Sequence, residues 1–143
     1  MTMDTVLPFR LRVSGSDRVR DFEAVSTSFR FAGTATLDGD VLRLAWTGHA
    51  RVQEVGLLSV RDDELALPHE ELAVPVSDLA GAALAGGWWR PRLELRGRDP
   101  SVLEIIPGED DGLVQLWIAR RDRNVARALQ AALAHRLGLL DPA

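Results

Sequence analysis

The sequence contains no cysteine, no lysine and no tyrosine. Without cysteine, the chain cannot form disulfide frameworks, cysteine-based zinc sites, iron–sulfur clusters or thiol nucleophiles. All 17 basic residues are therefore arginine. This usage is typical of a GC-rich genome and does not by itself indicate a selected chemistry.

Long hydrophobic runs and targeting patterns are also missing. The longest nearly uncharged stretch, residues 79–89, contains three glycines and is much shorter than the roughly 20 apolar residues of a membrane-spanning helix. Residues 1–10 show neither the basic region nor the apolar region of a secretory signal. We therefore expect a cytoplasmic protein.

The remaining composition is that of a folded chain. It has 143 residues, of which 46% are hydrophobic and 27% charged, ordinary values for a single globular domain. The net charge of −4 gives no overall attraction to nucleic acid or anionic lipid. Residues 1–89 hold 8 arginines and 13 acidic residues, a balance of −5, whereas residues 90–143 hold 9 and 8, a balance of +1. A face that binds anions is expected in the second part.

A β-hairpin is the clearest local element. Apolar and polar residues alternate over 29–37, and Asp38-Gly39 predicts a two-residue type I′ turn before a return strand over 40–48. In this register Ala35 lies opposite Leu42, and the apolar residues of both strands share one face.

Shorter alternating segments predict further strands. A strand over 7–13 is expected at an edge of the sheet because it contains Pro8, and residues 14–17 are expected to form a turn. Acidic residues 62–64 and residues 68–71 also predict turns. Over 79–85 a short strand is favoured, with a helix as the alternative. The other predicted strands cover residues 52–60, 65–67, 72–76, 92–96 and 113–119.

The end of the chain changes to a helical period. Apolar residues recur at helical spacing from Val125 to Leu137, with Asp122 at the predicted start and Gly138 at the predicted end. The strands and this helix together predict a mainly β fold, a strongly bent seven-stranded antiparallel barrel capped by one C-terminal helix. A generic α+β domain is the alternative.

Three stretches carry a resemblance to a known family. They are residues 29–35 leading into the hairpin, the apolar-Pro-apolar segment 74–79, and residues 113–121 running directly into the helix. In these features the chain resembles the bacterial branch of the pleckstrin-homology-like family. Residues 26–140 would form the barrel and helix, and residues 1–25 an N-terminal arm with an extra edge strand.

The resemblance implies a scaffold that binds peptides, other proteins or lipid headgroups. In some relatives, a basic loop between the first two strands holds phosphoinositides. The corresponding residues here, 37–40, form a tight acidic turn, so we do not expect phosphoinositide binding by that route. Fold alone does not specify function.

No motif in the sequence indicates catalysis or a cofactor. His49, His69 and His135 have no metal-ligand spacing, and acidic residues 62–64 and 109–111 do not follow a calcium-loop pattern. Nucleophile elbows and phosphate-binding loops are also missing from the sequence. We therefore expect a protein that is not an enzyme and has no cofactor or bound metal.

The tryptophans are candidate interface residues. Trp88 and Trp89 follow two glycines, and in an extended segment one indole would cap the core while the other reached solvent or a partner. On the strand over 113–119, Leu113 and Trp117 are expected to face outward. Cover from the N-terminal strand or contact with another subunit would explain them.

Two groups of arginines are candidates for anion binding. Arg90, Arg92, Arg96 and Arg98 follow one strand, and Arg120, Arg121, Arg123 and Arg127 surround the start of the helix. Cations are unfavourable at that end of a helix dipole, whereas a bound anion would use them. We hypothesise that the two groups converge in space. The alternative is that nearby carboxylates, such as Asp122, neutralise them.

These observations favour a non-enzymatic protein-interaction or self-assembly module. The expected partner is another copy of the chain or another protein, and nucleic acid is not expected. One alternative is a barrel that binds a small ligand near Trp46, Trp88 and Trp89. Another is peripheral membrane contact through Trp88 and Trp89 with Arg90 and Arg92.

Overall fold

The computed structural model describes residues 6–20, 23–56 and 60–140, with side chains described throughout these ranges except at 14–20, 23–25 and 139–140. These residues form seven antiparallel strands and one C-terminal helix, which confirms the predicted fold class. The bounds are β1 Val6–Arg20, β2 Glu23–Asp38, β3 Val41–Val55, β4 Val60–Pro75, β5 Leu79–Ala85, β6 Arg92–Gly97, β7 Leu113–Trp117 and α1 Arg123–Leu140. Short 3₁₀ turns at Val76–Asp78 and Arg120–Asp122 precede β5 and α1.

The strands form one sheet in the order β4-β3-β2-β1-β7-β6-β5. In the described part of the chain, β4 and β5 are its two ends, so the sheet stays open. The N-terminal strand, β1, lies between β2 and β7. Pro8 was therefore wrong as a sign of an edge strand, because β7 lies beyond β1 and Arg10 pairs with Trp117. The expected boundary at residue 25 falls inside β2.

The β2–β3 hairpin has the predicted faces but a different register. Asp38 pairs with Val41, so that Gly39 and Asp40 form the turn, and Ala35 lies opposite Leu44 rather than Leu42. Gly39 supplies the positive φ, +61°, that this turn needs. The shift is two residues, so the predicted apolar face is retained.

Strands β1 to β4 are longer than the sequence pattern indicates. The single strand predicted over 52–60 is wrong, because β3 ends at Val55 and β4 begins at Val60, its antiparallel partner. The predicted turn at residues 14–17 is wrong, because β1 continues to pair with β2 as far as Arg20. The predicted turns at 62–64 and 68–71 are also wrong, because both segments pair with β3. Pro68 and His69 lie opposite a single β3 residue and form a β-bulge, one of the few places where a strand accepts proline.

The core lies between the sheet and α1. It combines the buried faces of the strands with Leu103 and Ile106 from the β6–β7 connection. On α1 the buried residues are Ala126, Leu129 and Leu133, at helical spacing. The Gln130 amide donates a hydrogen bond to the Ala82 carbonyl oxygen at 3.1 Å, which ties the helix to β5. α1 begins directly after Asp122, as predicted, but continues past Gly138.

Candidate interaction site at the seam between β1 and β7

Strand β7 places Trp117 at the seam where β1 and β7 meet. Val114 and Leu116 point into the core and are fully buried, so the alternation of the strand turns Leu113, Gln115 and Trp117 to the other face. Leu113 and Trp117 are half-buried. Because Trp117 stands opposite Arg10, the N-terminal strand lies beside it, which is one of the two explanations expected for an outward-facing indole.

Two arginines lie over the Trp117 ring. The guanidinium carbons of Arg90 and Arg92 are 5.9 and 5.6 Å from the ring centroid. At these distances a cation is attracted by the ring's electron-rich face. Arg92 Nε also donates to a Glu94 carboxylate oxygen at 3.0 Å, whereas Arg90 has no ion pair with any described residue.

A groove runs along this seam, and we call it the seam groove. Its volume is about 540 Å³. The lining residues are Arg10, Arg12, Arg90, Trp117, Ile118, Ala119 and Arg121. The arginines come from three separate segments, namely β1, the residue before Pro91, and the 3₁₀ turn before α1. One member of each predicted arginine group, Arg90 and Arg121, therefore lines the same groove.

The positive charge of the arginines in the seam groove is not balanced by carboxylates among the described lining residues. Among the described residues, its lining includes four arginines and no carboxylate. Asp122 lies in the adjoining pocket, and its carboxylate is 3.8 Å from Arg121 Nε. Like charges held close together repel one another, and a bound anion would relieve that repulsion through charge-assisted hydrogen bonds.

Trp88 and Trp89 lie beside the seam in the β5–β6 loop. Both are exposed, at 60% and 57%, so the prediction that one of them caps the core is wrong. The backbone is not extended there, because Gly86 and Gly87 take positive φ angles of +82° and +58°. The turn brings the two rings together edge to face, with centroids 5.4 Å apart.

Arg120 holds this loop against the start of α1. Its guanidinium carbon lies 4.2 Å from the Trp89 ring centroid, and its Nε donates to the Trp89 carbonyl oxygen at 3.1 Å. The exposed indoles are therefore fixed next to the seam groove by a residue of the second predicted arginine group. Tryptophan and arginine are the residue types most enriched at the energetic centres of protein interfaces.

The remaining predicted arginines lie elsewhere. Arg96 and Arg98 are exposed on and after β6, beyond the groove lining. Arg123 begins α1 and has a buried Nε without a hydrogen-bond partner among the described residues, and Arg127 is exposed on the helix. Some arginines of each predicted group therefore lie at or beside the seam, and the others lie on different surfaces.

Sequence reasoning missed Arg10 and Arg12 as site residues. Both are exposed and lie on the same side of β1, as their alternation with Phe9 and Leu11 indicates. The sequence shows that alternation, but it does not show which strand lies next to β1. Only the sheet order places β1 next to β7 and brings these arginines to Trp117.

The three histidines lie on three different elements, and two of them lie near acidic residues. His49 shares a pocket with Asp62 and Glu64, and His69 Nε2 is 3.1 Å from a Glu71 carboxylate oxygen. His49, His69 and His135 are exposed on β3, β4 and α1. Within the ranges that the structure describes, no group of three or more histidine and carboxylate side chains is arranged to hold a metal ion.

Two carboxyl groups outside the seam have altered pKa values. The Arg51 guanidinium donates to both oxygens of Asp62, at 3.1 and 2.7 Å, and lowers the pKa of that carboxyl. The backbone N–H and the hydroxyl of Ser101 donate to Asp99 and lower the pKa of Asp99. Both carboxyl groups belong to exposed side chains that bond to neighbouring residues, and neither group lies at the seam.

The tryptophans named for the ligand-carrier alternative lie in different environments. Trp46 is buried in the core, 3% exposed, among the residues of the sheet. Trp88 and Trp89 are exposed in the β5–β6 loop. The three side chains do not form the single apolar lining that a small-ligand barrel would need.

Comparison of the chain with models of known protein families, with curated proteins and with solved structures finds no match. The described helix, α1, does not have the length and apolar character needed to cross a bilayer.

Proposed function

We propose that this chain is a non-enzymatic interaction module that holds an acidic, extended segment of a protein in the seam groove. The observation that carries the proposal is the presence of four arginines, from three separate segments, around one half-buried indole, with no carboxylate among the described lining residues. The antiparallel sheet with its C-terminal helix supports a pleckstrin-homology-like relationship as part of this proposal. The module would act in the cytoplasm.

The chemistry of the groove favours carboxylates. An arginine fork can donate two parallel hydrogen bonds to one carboxylate, and such bonds are about twice as strong as neutral ones. Arg90 is already stacked on Trp117, so less side-chain freedom is lost when it binds. The nearby indoles of Trp88 and Trp89 offer apolar contact area with few rotatable bonds.

The shape of the site favours an extended segment over a compact ligand. The groove lies where β1 and β7 meet, and its lining includes Arg10 and Arg12 of β1, Trp117 at the end of β7, and Arg121 in the turn before α1. An extended chain presents side chains at regular intervals and alternates their direction. Acidic side chains on such a segment would meet successive arginines of the groove.

The test is a titration of intrinsic tryptophan fluorescence with an oligoglutamate peptide at low ionic strength. We expect binding of oligoglutamate and none of oligolysine. Replacing two groove arginines, Arg12→Gln with Arg90→Gln, is expected to weaken binding about tenfold, equivalent to about 1.4 kcal/mol. A matched control, Arg43→Gln with Arg127→Gln, removes the same charge from exposed residues outside the groove and should leave the affinity unchanged.

Two results would contradict the proposal. One is oligoglutamate binding that the groove and control variants weaken equally, since that would reflect net charge alone. The other is absence of peptide binding together with co-sedimentation on anionic lipid vesicles. That result would assign the exposed Trp88 and Trp89 and the neighbouring arginines to a membrane surface instead.

A further inference from the structure

The opposite end of the sheet carries the complementary charge. β4 is the last strand in the sheet order, so in the described chain one of its two edges has no neighbouring strand. Residues 60–75 contain one arginine and five acidic residues, a balance of −4. The five are Asp62, Asp63, Glu64, Glu70 and Glu71, and all are exposed. We call this strand the acidic edge.

Part of the charge of the acidic edge is free to meet a partner. Asp62 pairs with Arg51, Asp63 pairs with Arg61, and Glu71 lies beside His69. Glu64 and Glu70 form no ion pair with another described residue, although Glu64 stands opposite Arg51, which is already bonded to Asp62. Glu70 stands opposite Trp46, so the two carboxylates lie on opposite faces of β4. The edge also carries an exposed apolar side chain, Leu65, which is 58% exposed.

We infer that the occupant of the seam groove is the acidic edge of a second copy of this chain. This inference rests on the proposed function and names its partner. The acidic edge is an extended strand that carries a carboxylate without an ion pair on each of its faces, Glu64 and Glu70. The seam groove is lined by four arginines and, among the described residues, by no carboxylate. Charge complementarity of this kind brings partners together quickly and fixes their orientation.

A chain cannot fill its own groove in this way. β3 and β2 lie between β4 and β1 in the sheet, a separation of about 14 Å at the usual spacing of strands. The contact therefore joins two different surfaces of two copies, head to tail. Such a contact leaves a free groove on one copy and a free edge on the other, so assembly continues until it closes into a ring or extends as a filament.

The test measures solution mass by light scattering over a range of concentrations. For the natural chain we expect the mass to rise above 15.7 kDa with concentration at about 0.05 M salt and to fall back at about 0.5 M, where screening is stronger. An edge variant, Glu64→Gln with Glu70→Gln, and the groove variant, Arg12→Gln with Arg90→Gln, are each expected to weaken self-association about tenfold.

Mixing the two variants provides the sharper result. The edge variant keeps an intact groove and the groove variant keeps an intact edge, so one productive contact is available between them. We expect the equimolar mixture to form a 1:1 complex of twice the chain mass and to stop there. A control pair, Asp38→Asn with Glu104→Gln, removes two exposed carboxylates elsewhere and should assemble as the natural chain does.

Three outcomes would overturn the inference. They are a natural chain that remains monomeric at every concentration, self-association that the edge variant does not weaken, and a variant mixture that remains monomeric although both variants fold. If the monomeric chain still binds oligoglutamate through the groove arginines, the proposed function stands and only the identity of the partner is wrong. If oligoglutamate binding also fails, both proposals fall.

Discussion

Arg10 stands directly opposite Trp117, and among the described residues this is the one pair that joins β1 to β7. The ladder between these two strands is therefore very short. Arginines of three segments line the groove at this junction.

Trp117 is expected to contribute to binding by holding Arg90 and Arg92. Cation–π contacts at accessible sites are worth about 0.5–1 kcal/mol each, so loss of both contacts in Trp117→Leu should lower oligoglutamate affinity about 5- to 30-fold. Trp88→Leu is the comparison, because Trp88 contacts Trp89 edge to face and should change the affinity less. Isothermal titration calorimetry would measure both. Equal losses would show that apolar area, rather than positioned arginines, determines the affinity.

Gly33 lies on β2 between Phe9 of β1 and Trp46 of β3, where there is no room for a side chain. A Cβ there would collide with the Ala45 carbonyl oxygen and lie 2.8 Å from the Phe9 ring. We expect Gly33→Ala to destabilise the fold by about 1–3 kcal/mol, as overpacked core substitutions do. In Gly81→Ala the new Cβ meets nothing within 4 Å, so this control should leave stability unchanged or slightly raised. Urea unfolding would measure both, and equal effects would refute the close approach.

The β6–β7 connection buries Leu103 and Ile106 but leaves Ile105 exposed. Removing a buried side chain leaves a cavity, so Leu103→Ala should cost about 2–5 kcal/mol of unfolding free energy. Ile105→Ala should remain within about 0.5 kcal/mol, as expected for surface changes. Thermal unfolding of the two variants tests whether this segment belongs to the core. A small effect at Leu103 would mean that the connection lies on the core without contributing to its stability.

Gly86 determines the shape of the tryptophan loop. An added Cβ would collide with the Arg90 carbonyl oxygen, and its φ of +82° is unfavourable for other residues. Gly86→Ala should separate the Trp88 and Trp89 rings and weaken the exciton couplet of their edge-to-face pair in circular dichroism. At Gly87 the φ is also positive but the space is free, so Gly87→Ala should weaken the couplet less. The reverse order would contradict this account.

Ser101 is expected to control the acidity of Asp99. The Ser101 backbone N–H is the larger cause of the lowered Asp99 pKa, and its hydroxyl is the second. Ser101→Ala should therefore raise the pKa of Asp99 only part of the way to the ordinary value of 3.8. Carboxyl ¹³C titration by NMR would follow it, with Ser77→Ala as control. An unchanged pKa would exclude a contribution of the hydroxyl bond.

The same contact has a defined pH dependence. The pKa of Asp99 is lower in the folded chain than in the unfolded chain, so the bond stabilises the fold at pH values above 3.8. That contribution is lost as the pH falls through the lower, folded value. Ser101→Ala should therefore reduce stability at neutral pH and have little effect once Asp99 is protonated.

The sequence predicted the faces of the strands better than their partners. A period of two identifies which side of a strand is buried, and Leu42, Leu44 and Trp46 are all buried. A shift of two residues leaves that pattern unchanged. This is why the hairpin turn could move from Asp38-Gly39 to Gly39-Asp40 without changing either face.

The candidate site was only partly predictable. Arg90, Arg121 and Trp117 were identified from their unusual positions, but Arg10 and Arg12 join them through the sheet order, a long-range property. The acidic segment 62–64 looked like a turn because charge marks solvent exposure. On an edge strand, however, charged side chains are compatible with continuous pairing on the other side.

The bulge at Pro68 affects how the outer edge of β4 behaves toward other proteins. Proline has no N–H to donate, and the bulge interrupts the even spacing of the backbone groups. Together with the carboxylates, this makes the edge a poor template for the irreversible cross-β stacking that leads to amyloid. The same edge can therefore remain exposed without seeding aggregates.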